Sequence, residues 1–317
     1  QTLDMTTAQR IEFQESSFNA FGFWRATEGG FGSAEIFVDD VYYTGTPQDN
    51  WGDSNLFREQ GQVLLHANTI SHSADWGILT DEGTRNVAEG DSAHMGPVRN
   101  LDELNTERLV PGVAISNNLL HGNVGGGIRF SGTTAQPEGA VPFGRIINNT
   151  VYGTGNGETG IQVDENAGPT ILNNILANLG LGIDVDGTSD DTTIVAASVY
   201  HGNIQDITGV SEEFSAVATD PLFIDVSSEN FYLSGGSVGS PNPAIDSSVA
   251  SLEDRYNFVL VKDPLGIARS PVIAPVRDMR GQLRVDDPNS EPTGGIGQNV
   301  FIDRGAIDRS DFSGPAA

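Results

Sequence analysis

One phrase recurs along this chain and limits what it can fold into: a short apolar stretch, an asparagine, then a Gly-Ile pair. Val63-Leu64-Leu65 precedes Asn68, Val113-Ala114-Ile115 precedes Asn118, Ile146-Ile147 precedes Asn149, and Ile171-Leu172 precedes Asn174. Gly77-Ile78, Gly127-Ile128, Gly160-Ile161 and Gly182-Ile183 follow, with the isoleucine 9 to 12 residues after the asparagine. Weaker copies read at 36–42, with Asp40 in the Asn place, and at 194–200, with Ala197 there; 11–18 reads as an earlier copy with Ser16. The steps between copies are 24, 28, 50, 31, 25 and 23 residues. The 50-residue step contains a polar, Pro- and Gly-bearing segment, and residues 82–111 read as a loop inserted between repeats.

A single copy cannot bury its apolar side alone. Stacked copies about 4.8 Å apart can, because each strand bonds to its equivalent above and below. Val, Ile and Leu then form inward ladders, and asparagines at a fixed turn hydrogen-bond along the axis. Gly before Ile supplies either an unusual backbone conformation or a close approach. The expectation is an all-β chain: a right-handed parallel β-helix, a single-stranded solenoid, with repeats over 1–210 and terminal rungs plus a capping segment over 211–317. A leucine-rich solenoid would need tightly spaced Leu and helical stretches, which the sequence lacks.

The Asn-Asn-Thr-Val and Gly-Ile units resemble the parallel β-helix repeat family of pectate-lyase-like and bacterial surface proteins, over about residues 10–210. A second resemblance covers 219–309. It rests on Asp220-Pro221-Leu222-Phe223, Ser240-Pro241-Asn242-Pro243-Ala244-Ile245-Asp246, Asp278-Met279-Arg280-Gly281 and Asp303-Arg304-Gly305-Ala306-Ile307-Asp308. These look like the closing segment of large, multidomain, adhesin-like extracellular proteins. The usual form has Ser-Pro-Ala-Ile-Asp and Asp-Ile-Gly-Ala; here Asn242-Pro243 is inserted and Arg304 replaces Ile, departures that read as minor. The resemblance implies a module that closes its last repeat, since an open one would expose strand edges.

Charge narrows the partners. The net charge is −27, and Lys262 is the only lysine. Nucleic acid and anionic membrane surfaces are repelled. No apolar run approaches the roughly 20 residues of a membrane span, so membrane insertion is not expected. With no cysteine, disulfides and thiolate chemistry are excluded. Gln1 does not begin a signal peptide, so the chain reads as a mature form or a piece of a longer multidomain protein.

Aligning copies on Gly-Ile puts Arg129, Gln162 and Asp184 in one outward column and Asp164 with Asp186 in another. Three readings compete for this acidic face. It is a solvated surface; or a Ca2+ site of Asp164, Asp184, Asp186 and Asp190; or a glycosidase pair drawn from Asp164, Asp184 and Asp186. A lyase is disfavoured, because the one lysine lies outside the repeats. His121-Gly122-Asn123 and His201-Gly202-Asn203 read as a turn phrase repeated by the solenoid. His66, His72 and His94 show no metal spacing. Early aromatics read as core and N-terminal closure, or as a sugar platform with Trp24, Trp51 and Trp76 its best members; Arg129 joins them as a ligand-binding candidate. The expected function is a non-catalytic extracellular or cell-surface module, of adhesin, stalk or surface-layer type. Its expected partner is a glycan or another surface protein, with Ca2+ the candidate ion. The alternative is a polysaccharide hydrolase or lyase using the acidic face.

Overall fold

The computed structural model describes residues 10–14, 17–18, 36–38, 62–80, 112–132, 144–212, 216–237, 240–249, 274–288 and 302–310. Within them the chain is nearly all β, and its strands come in threes. The first triplet is Arg10–Gln14, Ser17–Phe18 and Ile36–Val38 (β1–β3). The second is Gln62–His66, Thr69–Ser71 and Trp76–Thr80 (β4–β6). The third is Gly112–Ser116, Leu119–His121 and Gly126–Ser131 (β7–β9). Then come Gly144–Ile147, Thr150–Tyr152 and Thr159–Asp164 (β10–β12). Thr170–Leu172, Ile175–Ala177 and Leu181–Val185 (β13–β15) follow. Ile194–Ala196, Val199–His201 and Gln205–Thr208 (β16–β18) are the last.

Each sheet takes one strand from every triplet, all parallel. Sheet A runs β1-β4-β7-β10-β13-β16, and sheet C runs β3-β6-β9-β12-β15-β18. Sheet B runs from β2 through β5, β8, β11, β14 and β17 to a short strand at Val217–Ala218 (β19). One apolar cluster is drawn from all three sheets. Ile115, Ile146 and Ile171 come from sheet A, Leu120, Val151 and Leu176 from sheet B, and Ile128, Phe130 and Val163 from sheet C. Ile78, Ile128, Ile161 and Ile183 stand in register and are fully buried, the expected isoleucine ladder.

The glycine before each isoleucine is there for space. A Cβ on Gly127 would lie 2.5 Å from the Gly160 carbonyl oxygen, and one on Gly160 would lie 2.6 Å from that of Gly182. Successive backbones approach too closely there for any side chain.

The asparagines form a second ladder at the corner between sheets A and B. The side-chain oxygen of Asn118 accepts from the backbone N–H and side-chain amide of Asn68, at 3.0 and 2.9 Å. Asn149 does the same for Asn118, and Asn174 for Asn149. Each amide also donates to the backbone of the preceding repeat: Asn118 to Leu65, Asn149 to Ile115, Asn174 to Ile146. All four are fully buried. The residue before each is left-handed, with φ of 58° at Ala67, 55° at Asn117, 54° at Asn148 and 58° at Asn173. Asparagine tolerates that conformation better than most residues, which accounts for the Asn-Asn doublets.

Register corrects two of the weaker copies. Ile36 pairs with Ile78, so 36–38 belongs to the Gly-Ile sheet and Asp40 does not stand in the Asn place. Ala196 pairs with Leu172 and Val199 with Ile175, so the ladder position is Ser198, one residue beyond Ala197. Ala197 instead holds the left-handed position, at φ 55°. In both cases a short apolar run looked alike from either sheet. Gln14 pairs with His66 and Ser17 with Thr69, so the earliest copy joins the same sheets; Ser16 itself lies outside the described residues. The loop expected at 82–111 lies outside the described residues; β4 and β7, on either side, pair directly.

The C-terminal part was expected to close the last repeat. Beyond β19, its described residues lie along the side of the repeats, against sheet B and the A–B corner. A hairpin of Phe223–Asp225 (β20) and Asn230–Leu233 (β21) packs Phe231 beside Leu119, with Ala306 and Ile307. Leu233, Ala244 and Ile245 cover Ile175 and Val199. Gly236–Ser237 (β22) and Ser240–Pro241 (β23) form a second, minimal hairpin. The outward asparagine of each doublet is the handle. Asn117 donates to the Arg277 carbonyl and accepts from Arg284, Asn148 donates to the Asp303 carbonyl, and Asn173 exchanges two bonds with Val249.

The two departures read as minor prove central. Arg304 is fully buried and donates to the carbonyls of Ser247 and Ser198, tying the segment to the last repeat. Asn242, also fully buried, donates to the carbonyls of Pro221 and Ser234 and accepts from the Ala244 N–H.

Two outcomes are expected. Asn149→Ala should lower stability by about 2–4 kcal/mol, because it orphans the buried Asn118 N–H and Ile115 carbonyl of one neighbouring repeat and breaks the ladder to Asn174 of the other; urea unfolding measures it. The second concerns pH. Burial raises the Asp308 carboxyl to about 6, and burial together with Asp308 raises Asp303 well above the carboxylate range. The folded segment therefore holds protons that a free chain releases above about pH 4. Its stability is fullest below that pH and declines as pH rises through about 6. Amide exchange over 302–310, corrected for intrinsic rate, should show more protection at pH 5 than at pH 7.5.

Candidate functional site

The acidic columns form on sheet C as the alternation predicts. Arg129, Gln162 and Asp184 are aligned on adjacent strands, with Thr208 next. Asp164 stands opposite Ser131. Asp186 follows β15; its N–H donates to the Val163 carbonyl and its carboxylate accepts from the Glu165 N–H, which puts it beside Asp164.

Asp164 is already satisfied. Arg129 donates to it from Nε at 3.0 Å and Nη2 at 2.9 Å, Gln162 donates at 2.8 Å, and the Ser131 hydroxyl makes a short bond. The carboxylate is buried under these partners and not open to solvent as expected. The counter-charge that crowded carboxylates require is thus a guanidinium reaching across from the neighbouring column. Asp186 caps its own turn, accepting from the Thr188 N–H at 2.9 Å and hydroxyl at 2.7 Å. Burial pushes its carboxyl up, but bonds from Thr188, Glu165 and Ser189 outweigh this and hold it below the usual range. Asp184 moves the other way, raised by burial and by its neighbours Asp186 and Asp164. Asp190 is exposed. Arg129 is engaged with Asp164, with its side chain 34% exposed.

Of the aromatic platform, Trp24 and Trp51 lie outside the described residues. Trp76 is half-buried and lies over Gly126 of the next strand, where an added Cβ would come within 2.5 Å of the ring.

A different group converges on sheet B. His121 ends β8, opposite Ser71. His72, the residue after Ser71, turns out of its strand at φ 60°, the conformation its neighbour Gly122 adopts at 64°. The two imidazoles meet edge to face with centroids 5.6 Å apart. Glu229 arrives from the C-terminal hairpin. It ends the 3-10 turn Val226–Ser228 at φ 57°, two residues before Phe231, whose ring packs on His121 at 5.2 Å. A Glu229 carboxylate oxygen then lies 3.7 Å from His72 Nε2 and 3.8 Å from His121 Nδ1. Donor atoms of all three fall within 4.8 Å of one another. Burial lowers the pKa of His121, Glu229 raises it and His72 lowers it, with burial prevailing.

Spacing among His66, His72 and His94 gave no sign of the group that forms at His72. Its partners are 49 residues away on the next strand and 157 away on the hairpin. The repeated His-Gly-Asn phrase was the available signal. His121, Tyr152, Ala177 and His201 share one column, Gly122 and Gly202 are left-handed at 64° and 65°, and Asn123 and Asn203 bond back to Ile70 and Leu176. His201 meets Asp220 at 3.7 Å. His66 pairs with Ser116, and His94 lies outside the described residues.

Comparison with family models, with curated proteins and with solved structures found no match.

Replacing Arg129 with Gln should destabilise the chain by about 1–3 kcal/mol, because it leaves the covered Asp164 carboxylate without its charged partner. The Arg129→Gln, Asp164→Asn double variant should recover much of that loss in thermal unfolding; equal loss in both would show that the pair is not coupled.

Proposed function

We propose that residues 10–210 form a right-handed parallel β-helix, and that the chain is a non-catalytic module of an exported or cell-surface protein. Support for the solenoid is the strand order, with every third strand returning to the same sheet, and the one core shared by all three. Such a coil is a stiff, edge-poor spacer that grows by about 4.8 Å per repeat. A charge of −27 and the lack of cysteine suit a stalk or adhesin surface outside the cell.

The observation that carries the non-catalytic reading is the state of Asp164. A glycosidase pair needs two carboxyls facing a substrate. Asp164 faces Arg129, Gln162 and Ser131, and Asp186 is committed to its turn. One observation favours the enzymatic alternative: Asp184 is pushed up while Asp186 is held down, the opposed environments that acid and base roles require.

The two readings part in one assay. Incubation with pectin, alginate and neutral glucans should release neither reducing ends nor unsaturated products. Release that vanishes in both Asp184→Asn and Asp186→Asn would replace the scaffold with a hydrolase. A glycan array on the same protein then identifies the surface partner.

A further inference from the structure

We propose that His72, His121 and Glu229 form a binding site for a divalent first-row transition ion, Zn2+ foremost, which fastens the β20–β21 hairpin to sheet B.

The spacing suits such an ion. Tetrahedral zinc with ligands at about 2.0–2.1 Å holds its donor atoms about 3.3–3.4 Å apart. Glu229 lies 3.7 and 3.8 Å from the two imidazole nitrogens and all three donors fall within 4.8 Å, so rotamer adjustment of the exposed His72 and Glu229 side chains, on the order of 1 Å, would close the set. Two imidazoles and one carboxylate are the donors that zinc and its neighbours accept, whereas Ca2+ requires oxygens. The outer face is open: the His72 and Glu229 side chains are 54% and 57% exposed, which leaves an entry path and room for water as a fourth ligand. The inner face is closed, with the His121 side chain only 7% exposed and Phe231 packed on its ring.

The chain itself supplies a contrast. The second histidine of the same column, His201, faces Asp220 at 3.7 Å. Its neighbour in the column is Ala177, and the residue that stands to it as His72 stands to His121, in the preceding repeat, is Asn178. Among the described residues that pair has no third ligand. One His-carboxylate contact is a plain ion pair; the other has become a three-donor set. Because the donors come from two adjacent repeats and from the lateral segment, an ion held there stabilises their contact by mass action.

The test uses the full chain without a histidine tag, stripped with EDTA. Zn2+ titration by calorimetry should give one ion per chain, Co2+ should show the visible absorption of a four-coordinate site, and Zn2+ should slow amide exchange over 223–233. His72→Asn keeps a residue that accepts positive φ, and Glu229→Gln keeps the shape. Each should weaken Zn2+ binding by more than about 100-fold, beyond the loss of an outer-sphere partner, with circular dichroism unchanged. His201→Asn should bind as the parent does. No binding at millimolar Zn2+, parental affinity retained in His72→Asn or Glu229→Gln, or loss of binding in His201→Asn would each overturn the site. Binding that leaves exchange over 223–233 unchanged would overturn the fastening role.

Discussion

The buried amide ladder of Asn68, Asn118, Asn149 and Asn174 is the interaction on which the rest of the structure depends. The strands of sheet B in these repeats have only three residues each, too few backbone bonds to hold a register by themselves. The Asn118 and Asn149 amides each bond to both neighbouring repeats, and a buried amide without partners costs about 1–3 kcal/mol. A slip by one residue would orphan several at once. The ladder sets the phase of sheet B relative to sheet A, and the isoleucine ladder on sheet C follows in step. It ends where Ser198 takes the place of asparagine and the Ser198 N–H turns to the Glu212 carboxylate.

The same corner decides where the C-terminal segment lies. The left-handed residue before each ladder asparagine points its own side chain outward, and three of these are asparagines. They present donors and acceptors at the repeat spacing, and the backbone at Arg277, Val249 and Asp303 meets them. The segment brings buried charge with it. Arg284 pairs with Asp308 at 3.3 Å with both side chains fully buried, and Arg304 spans Ser198 and Ser247. Buried ions contribute little net stability but penalise any other arrangement heavily. This network therefore acts as a key for one docking position.

Docking in turn makes the histidine group. Phe231 lies on His121, Tyr152 and Phe223, and this aromatic contact sets the hairpin on sheet B with Glu229 above two imidazoles. On sheet C no such segment arrives among the described residues. The column there settles its charge internally, through Arg129 and Asp164.

Much of this was legible in the sequence, and the limit has a physical cause. Contacts that recur with the strand-triplet repeat could be read from the chain. These were the isoleucine and asparagine ladders, the alignment of Arg129, Gln162 and Asp184, and the turn role of His121-Gly122 and His201-Gly202. In each, one local phrase is copied and stacked. Reading was least secure where phrases were short and apolar, so that 36–38 and Ala197 were assigned by resemblance and reassigned by pairing. That Arg129 would claim Asp164 follows from side-chain reach and not from column membership. The positions of Arg304, Asn242 and Glu229 are not periodic at all. They depend on how a separate stretch folds and lies against the repeats, which at Arg304–Ser198 and at Glu229 means contacts more than 100 residues apart that no local pattern encodes. The sequence by itself determined the stacking unit, because one strand cannot bury its apolar side without an identical neighbour. Only the tertiary structure decided which residues meet in a site, because that requires two non-repeating surfaces to fit.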